Sequence, residues 1–159
     1  MKTYKKFLMV IIAIIFVVSS VVTVSANEHN YIEFDNRQRM ASDGSFTFEA
    51  QYSVKSDYFK PTSTSITIST LAYIYKQGTD SIILDTAYTY TVTLYKYGSS
   101  IPVGSYMGYA DGNTDKKTFT GLDTSKKYYF YILPHDQLLS DHGEWLTGRG
   151  TVSPVSVVS

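Results

Sequence analysis

Apolar and polar residues alternate with a period of two along most of this chain, and that pattern admits strands and little else. In residues 45–53, Phe46, Phe48, Ala50 and Tyr52 fall on one side, and Thr47, Glu49, Gln51 and Ser53 on the other. This is the pattern of a half-buried strand. In residues 65–75, Ile66, Ile68, Thr70, Ala72 and Ile74 share a face. In residues 86–97, Tyr88, Tyr90, Val92 and Leu94 alternate with Ala87, Thr89, Thr91 and Thr93. Residues 127–133 are apolar on both faces, as expected of a central strand covered on both sides. Asp43-Gly44, Gly78-Thr79-Asp80, Gly98-Ser99-Ser100, Asp111-Gly112-Asn113 and Gly121 read as turns between these runs. No helical stripe competes; a single helical turn around residues 136–139 is the one candidate. Seven or eight strands broken by frequent turns predict an all-β domain, a single antiparallel β-sandwich.

The N-terminus follows another logic. Lys2, Lys5 and Lys6 precede an unbroken apolar run from Phe7 to Val18, and small residues follow as far as Val24-Ser25-Ala26. That is the layout of a secretory signal peptide, with cleavage expected after Ala26. The run is shorter than the ~20 residues a membrane-spanning helix needs. The expected organisation is therefore a signal peptide at 1–26, a lead-in at 27–44 containing Arg37-Gln38-Arg39, and a β-sandwich domain at 45–159. The destination is secreted, with no membrane attachment after cleavage.

Composition narrows the classes further. The chain has 14 basic and 14 acidic residues, and the leader holds three of the lysines and no acid. The remainder carries a formal charge of −3, which argues against a nucleic-acid partner. Cysteine is absent. That excludes a lipid-modified cysteine, and a disulfide-free exoprotein suits a Gram-positive bacterium. A domain of this length can bury a core without staples, which become necessary below about 70 residues.

The C-terminal half resembles a fibronectin type III-like or related immunoglobulin-like domain. The residues that carry the likeness are Tyr90-Thr91-Val92-Thr93-Leu94-Tyr95-Lys96, similar to that family's third strand, and Leu122, six residues before Tyr128 at the head of Tyr128-Tyr129-Phe130-Tyr131-Ile132. That spacing is similar to a tyrosine corner, in which Leu plugs the core and the tyrosine hydroxyl ties the corner's backbone. Residues 148–157 resemble the last strand. Ile66 and Ile68 stand where the family usually has a tryptophan. Residues 91–96 and 122–132 are also similar to the C-terminal pre-peptidase-like module of bacterial exoenzymes. Both resemblances imply a non-catalytic accessory sandwich, and neither brings functional residues with it.

Chemistry-bearing motifs are sparse. Gly104-Ser105-Tyr106-Met107-Gly108 lacks the spacing of a nucleophile elbow. Asp111-Gly112-Asn113-Thr114-Asp115 lacks the alternate carboxylates and closing Glu of a calcium loop. The loop 135–144 gathers His135, Asp136, Asp141, His142 and Glu144, with His29 far off in sequence; its spacing matches no zinc motif. No catalytic, cofactor-binding or metal residue is assigned, and no cofactor is expected.

Tyrosine is the remaining clue, with 14 of the 15 lying beyond the leader. Tyr73, Tyr75, Tyr95, Tyr97, Tyr106 and Tyr109 are expected to face outward. Tyrosine offers large amphipathic contact at low entropic cost. Trp145 reads either as a surface anchor or as a plug at one end of the sandwich. These features predict a secreted, non-catalytic module that binds protein or glycan through loops and tyrosine-rich strand faces. The alternatives are a small extracellular hydrolase built on His135, Asp136 and His142, and an envelope protein that self-associates through an open strand edge.

Overall fold

The computed structural model describes residues 40–135, 139 and 142–158. The leader, residues 27–39 of the lead-in, and Asp136 and Asp141 lie outside the described residues. Of the expected helical turn only Leu139 is described; it sits in a turn and is buried.

The described chain is all-β, with no helix. Its strands are β1 (Ser45–Ala50), β2 (Val54–Lys55), β3 (Phe59–Pro61), β4 (Ser65–Lys76), β5 (Ser81–Ile83), β6 (Asp85–Lys96), β7 (Pro102–Thr120), β8 (Tyr128–Pro134), β9 (Glu144–Ser153) and β10 (Val155–Val157). Ten appear instead of seven or eight because β2, β3, β5 and β10 have two or three residues each, too few to show alternation. The strands form one antiparallel sheet in the order β1-β9-β4-β7-β6-β8-β3-β10, with β2 beside β8 and β5 beside β4.

The sheet curls because β7 serves twice. Its first part pairs with β6, through Tyr109 and Ala110, and its second part pairs with β4, from Asp111 to Thr120. At the changeover, Leu71 opposes Thr114 while Tyr73 opposes Asp111, so β7 carries one extra residue there. Gly112 takes a φ of 78°, a left-handed conformation that favours glycine. The Asp111 carboxylate accepts hydrogen bonds from the Asn113 backbone N–H and side-chain amide, both at 2.9 Å. The turn expected at Asp111-Gly112-Asn113 is thus a bend inside a strand. Its residues have turn chemistry, but the chain passes from one partner strand to another without reversing.

The curl brings two halves of the sheet face to face, an arrangement compatible with a sandwich. We call them the β4 half (β1, β4, β5, β9 and the end of β7) and the β6 half (β2, β3, β6, β8, β10 and the start of β7). Phe46 of β1 meets Phe130 of β8 at 5.1 Å between ring centroids, and Phe48 meets Tyr90 at 6.3 Å. Thr70 Oγ1 of β4 lies 2.8 Å from the Tyr90 hydroxyl and 3.0 Å from that of Tyr106. Ile66, Ile68, Ala72 and Ile74 from one half, and Val92, Leu94, Phe130 and Ile132 from the other, are buried as their alternation predicts. Each fully buried Ile, Leu or Phe contributes about 1.5–3 kcal/mol. Met40 also joins this core, bridges to Phe46 and donates its N–H to Asp57.

One local expectation is met and two are not. Leu122 and Tyr128 are buried, and the Tyr128 hydroxyl accepts the Asp123 N–H at 3.0 Å. The hydroxyl ties the corner's backbone as the resemblance implies. Residues 45–53 stop being a strand at Ala50, and Tyr52 is exposed. Strand β8 is central, between β6 and β2 or β3, yet only one of its faces is buried. Tyr129 and Tyr131 are half-buried and Leu133 exposed. Among the described residues no second layer of strands covers that outer face; neighbouring tyrosines partly do.

Candidate functional site: the tyrosine face

Alternation places Tyr95 of β6 and Tyr129 and Tyr131 of β8 on the outer side of the β6 half, because Leu94, Phe130 and Ile132 are turned into the core. Register then sets the neighbours. Tyr95 stands opposite Tyr129, Thr93 opposite Tyr131, and Tyr131 opposite Lys55 of β2. Tyr58, next to β3, and Tyr97, just after β6, complete the group.

The rings pack as cross-strand neighbours do. Tyr95 and Tyr129 are stacked, with centroids 5.5 Å apart and planes 12° apart. Tyr131 stands edge-on to both, at 5.9 Å from Tyr95 and 5.7 Å from Tyr129. Tyr58 is edge-on to Tyr97 at 5.2 Å and to Tyr129 at 5.6 Å. The Lys55 ammonium lies 4.6 Å from the Tyr58 ring centroid and 4.4 Å from that of Tyr129, within cation–π range. It donates to the Tyr58 hydroxyl at 2.8 Å. That bond holds the Lys55 pKa above the ordinary lysine value, against a smaller opposing effect of desolvation. Partial burial raises the Tyr129 hydroxyl. The cluster therefore stays cationic at Lys55 and neutral at Tyr129 through the physiological range. It combines ring faces and edges, hydroxyls that donate and accept, and one fixed positive charge.

The surface continues along the strands. Met107 of β7, Thr91 of β6 and Leu133 of β8 form one row across the sheet; Met107 is 51% exposed and Leu133 48%. At the far end His135 is held by Thr89 Oγ1 at 3.0 Å from Nδ1 and by Thr91 Oγ1 at 2.6 Å from Nε2.

Of the residues of the alternative, loop-based site, His135, His142 and Glu144 are described, and they stand in different settings. Both ring nitrogens of His135 are engaged by threonines. Glu144 is buried, paired with Lys76 at 3.2 Å and hydrogen-bonded by the Tyr88 hydroxyl at 3.2 Å. Its backbone accepts from Gln51 and donates to Leu139. Glu144 is thus a strand-linking group and not a pocket acid. His142 is exposed. Among the described residues no group of three His, Cys, Asp or Glu could hold a metal ion. Gly104 to Gly108 lie within β7, and the Tyr90 ring occupies the place a Gly108 Cβ would take.

The tyrosines divide as follows. Tyr73, Tyr75, Tyr95, Tyr97 and Tyr109 lie on outer faces, Tyr97 being 60% exposed. Tyr106 was expected there too, but it turns inward to Thr70, and burial pushes its hydroxyl pKa up. Gly108, on its side of β7, leaves room for the Tyr90 ring, whose hydroxyl shares Thr70 with that of Tyr106. Tyr58, Tyr129 and Tyr131 were missed as outward residues. Tyr129 and Tyr131 sit in an all-apolar run that hides which face is core, and Tyr58 lies outside any alternating segment. Trp145 is half-buried on the outer side of the β4 half, opposite Tyr75.

No protein-family model matches the sequence, and no curated protein matches it. Two solved structures share distant similarity with the fold. One is TmCBM61, a carbohydrate-binding module, in complex with β-1,4-galactotriose, at a TM-score of 0.37 and 11% identity over 69% of this chain and 64% of that one. The other is a family two carbohydrate esterase from Cellvibrio japonicus, at 0.38 and 12% over 77% of this chain and 31% of that one. The chain thus spans under two thirds of the length of either.

Proposed function

We infer that this protein is a secreted, non-catalytic binding module whose tyrosine face takes a glycan at or outside the cell surface. The observation that carries the reading is the cluster of Tyr58, Tyr95, Tyr97, Tyr129 and Tyr131 around Lys55. None of these tyrosines is needed to close the core, which Phe46, Phe59, Phe130 and their neighbours fill from the other side. Aromatic rings on an open sheet face offer apolar contact to the C–H side of a sugar. Their hydroxyls and Lys55 meet the sugar's own hydroxyls. Because the rings brace one another, little side-chain entropy remains to be lost on binding. The leader supports secretion, and N-terminal sequencing of exported protein should find Asn27 first.

Affinity electrophoresis through gels containing soluble polysaccharides tests the reading. Retardation by at least one polysaccharide is expected, and Tyr97→Ala together with Tyr129→Ala should abolish it while the fold persists by circular dichroism. Equal retardation of wild type and double variant would remove the tyrosine face from binding. No retardation by any polysaccharide would remove the glycan.

A further inference from the structure

The β4 half presents a different outer surface. An open groove of about 420 Å3 runs across β1, β9, β4 and β7, within the ~300–1,000 Å3 range of small-ligand sites. Its outward-facing lining is Thr47, Ser69, Leu71, Thr114, Arg149 and Thr151. One row of the sheet sets Thr47, Arg149, Leu71 and Thr114 side by side, and the next sets Ser45, Thr151, Ser69 and Lys116. Arg149 and Lys116 are exposed, and among the described residues no carboxylate pairs with either. Glu49, the nearest acid along β1, stands opposite Thr147, one row beyond Arg149.

We propose that this groove binds a carboxylate-bearing sugar residue, a uronate, with Arg149 as its anchor. A guanidinium matches a carboxylate through two parallel N–H···O bonds, which no neutral sugar reproduces. Lys116 adds a second positive charge one row away. The other groups suit a hydroxylated ligand. Thr47, beside Arg149, and Thr114, beyond Leu71 in the same row, are exposed hydroxyls, and Ser69 and Thr151 already share a hydrogen bond of 2.8 Å, which leaves acceptor capacity on both. Leu71 is the single apolar side chain among the outward-facing residues that line the groove. The site stands on the outer face of the other half from the tyrosine cluster around Lys55, and none of that cluster lines it.

The test is a titration of the isotope-labelled full chain with trigalacturonate, followed by amide chemical shifts. Maltotriose serves as the neutral probe and triglutamate as the acidic peptide. Trigalacturonate is expected to move the amides of Thr47, Leu71, Arg149 and Thr151, and the other two probes to leave them in place. Arg149→Gln, at an exposed position, should weaken binding about tenfold or more, as loss of a charged hydrogen-bond pair does, and Arg149→Lys by less. Unmoved groove amides would overturn the proposal, as would shifts confined to Tyr95 and Tyr129 or an unchanged affinity in Arg149→Gln. An equal response to triglutamate would reassign the groove to peptide and overturn it too. Because shifts are read residue by residue, failure here leaves the tyrosine face to its own experiment.

Discussion

The two outer faces of this curled sheet share pleat, core and long strand β7, and they differ in what they show to solvent. The β6 half shows stacked and edge-on tyrosines around Lys55. The β4 half shows hydroxyl pairs, Thr67 with Thr118 and Ser69 with Thr151, each at 2.8 Å, and an exposed Arg149. Folding demands only that alternate residues be apolar inside and tolerated outside, and both faces satisfy it. The difference between them is therefore free for recognition. It shows that outward composition, not the strands themselves, is where one half of such a sheet becomes distinct from the other.

The largest expected effect would erase the comparison by removing the core that both halves share. Phe130→Ala takes away the ring that meets Phe46 across the interior and Phe59 beside it. It should cost about 3–5 kcal/mol in urea unfolding, and both faces should be lost in a single transition. A smaller loss confined to one set of amides in hydrogen exchange would show that the halves hold together separately.

Alkali tests the bond between the halves. Burial pushes the Tyr90 hydroxyl up to about 12, and its bond to Thr70 joins β6 to β4. The unfolded chain, with a tyrosine near 10, gives up its proton first, so stability is full below pH 10 and falls as pH rises toward 12. One unit of difference is worth about 1.4 kcal/mol, so the fall should reach about 2–3 kcal/mol. Tyr90→Phe should start lower, having lost the bond, and show a flatter decline over the same interval. An equally steep decline would assign it to other groups.

Lys76→Ala probes the junction at which β4, β6 and β9 meet. It leaves the buried Glu144 with the Tyr88 hydroxyl as its remaining side-chain partner among the described contacts. Removing one member of a fully buried pair is severe, but the Lys76 side chain is 39% exposed. Solvent screening brings the expected cost down to about 1–2 kcal/mol. Thermal unfolding measures it, and the Lys76→Met variant, which keeps the stem's packing, separates charge from contact.

The smallest effects sharpen the comparison between faces. A double-mutant cycle on Tyr95 and Tyr129 should return a coupling near the upper end of about 0.2–1 kcal/mol, and one on Ser69 and Thr151 near the lower end. Equal couplings would mean that the aromatic face is no better braced than the hydroxyl face. At Thr147 the buried hydroxyl has no hydrogen-bond partner among the described residues. Thr147→Val should therefore be neutral or slightly stabilising.

Much of the fold is legible in the residues. Ile66, Ile68 and Ile74, and Val92 and Leu94, are buried where period two puts them, and Leu122 with Tyr128 makes the corner their spacing suggests. The loop 135–144 is not legible from the residues alone, because a run of His, Asp and Glu reads the same whether its members converge or disperse. Glu144 went to Lys76 and Tyr88, and His135 to two threonines. Neither pairing has a local signal, since the partners come from strands 44 to 68 residues away in sequence.

By itself the sequence determined that this chain makes strands, which residues of each alternating strand meet the core, and where most reversals fall. Those properties depend on neighbours within a few positions, through pleat geometry and turn chemistry. Only the tertiary structure decided that Asp111-Gly112-Asn113 bends a strand without reversing it. It alone decided which face of the apolar run at β8 is open, and that Tyr58, Tyr95, Tyr97, Tyr129 and Tyr131 meet. Register between distant strands sets these outcomes, and register follows from how the two halves bury their apolar surface together, a choice that no local stretch of residues records.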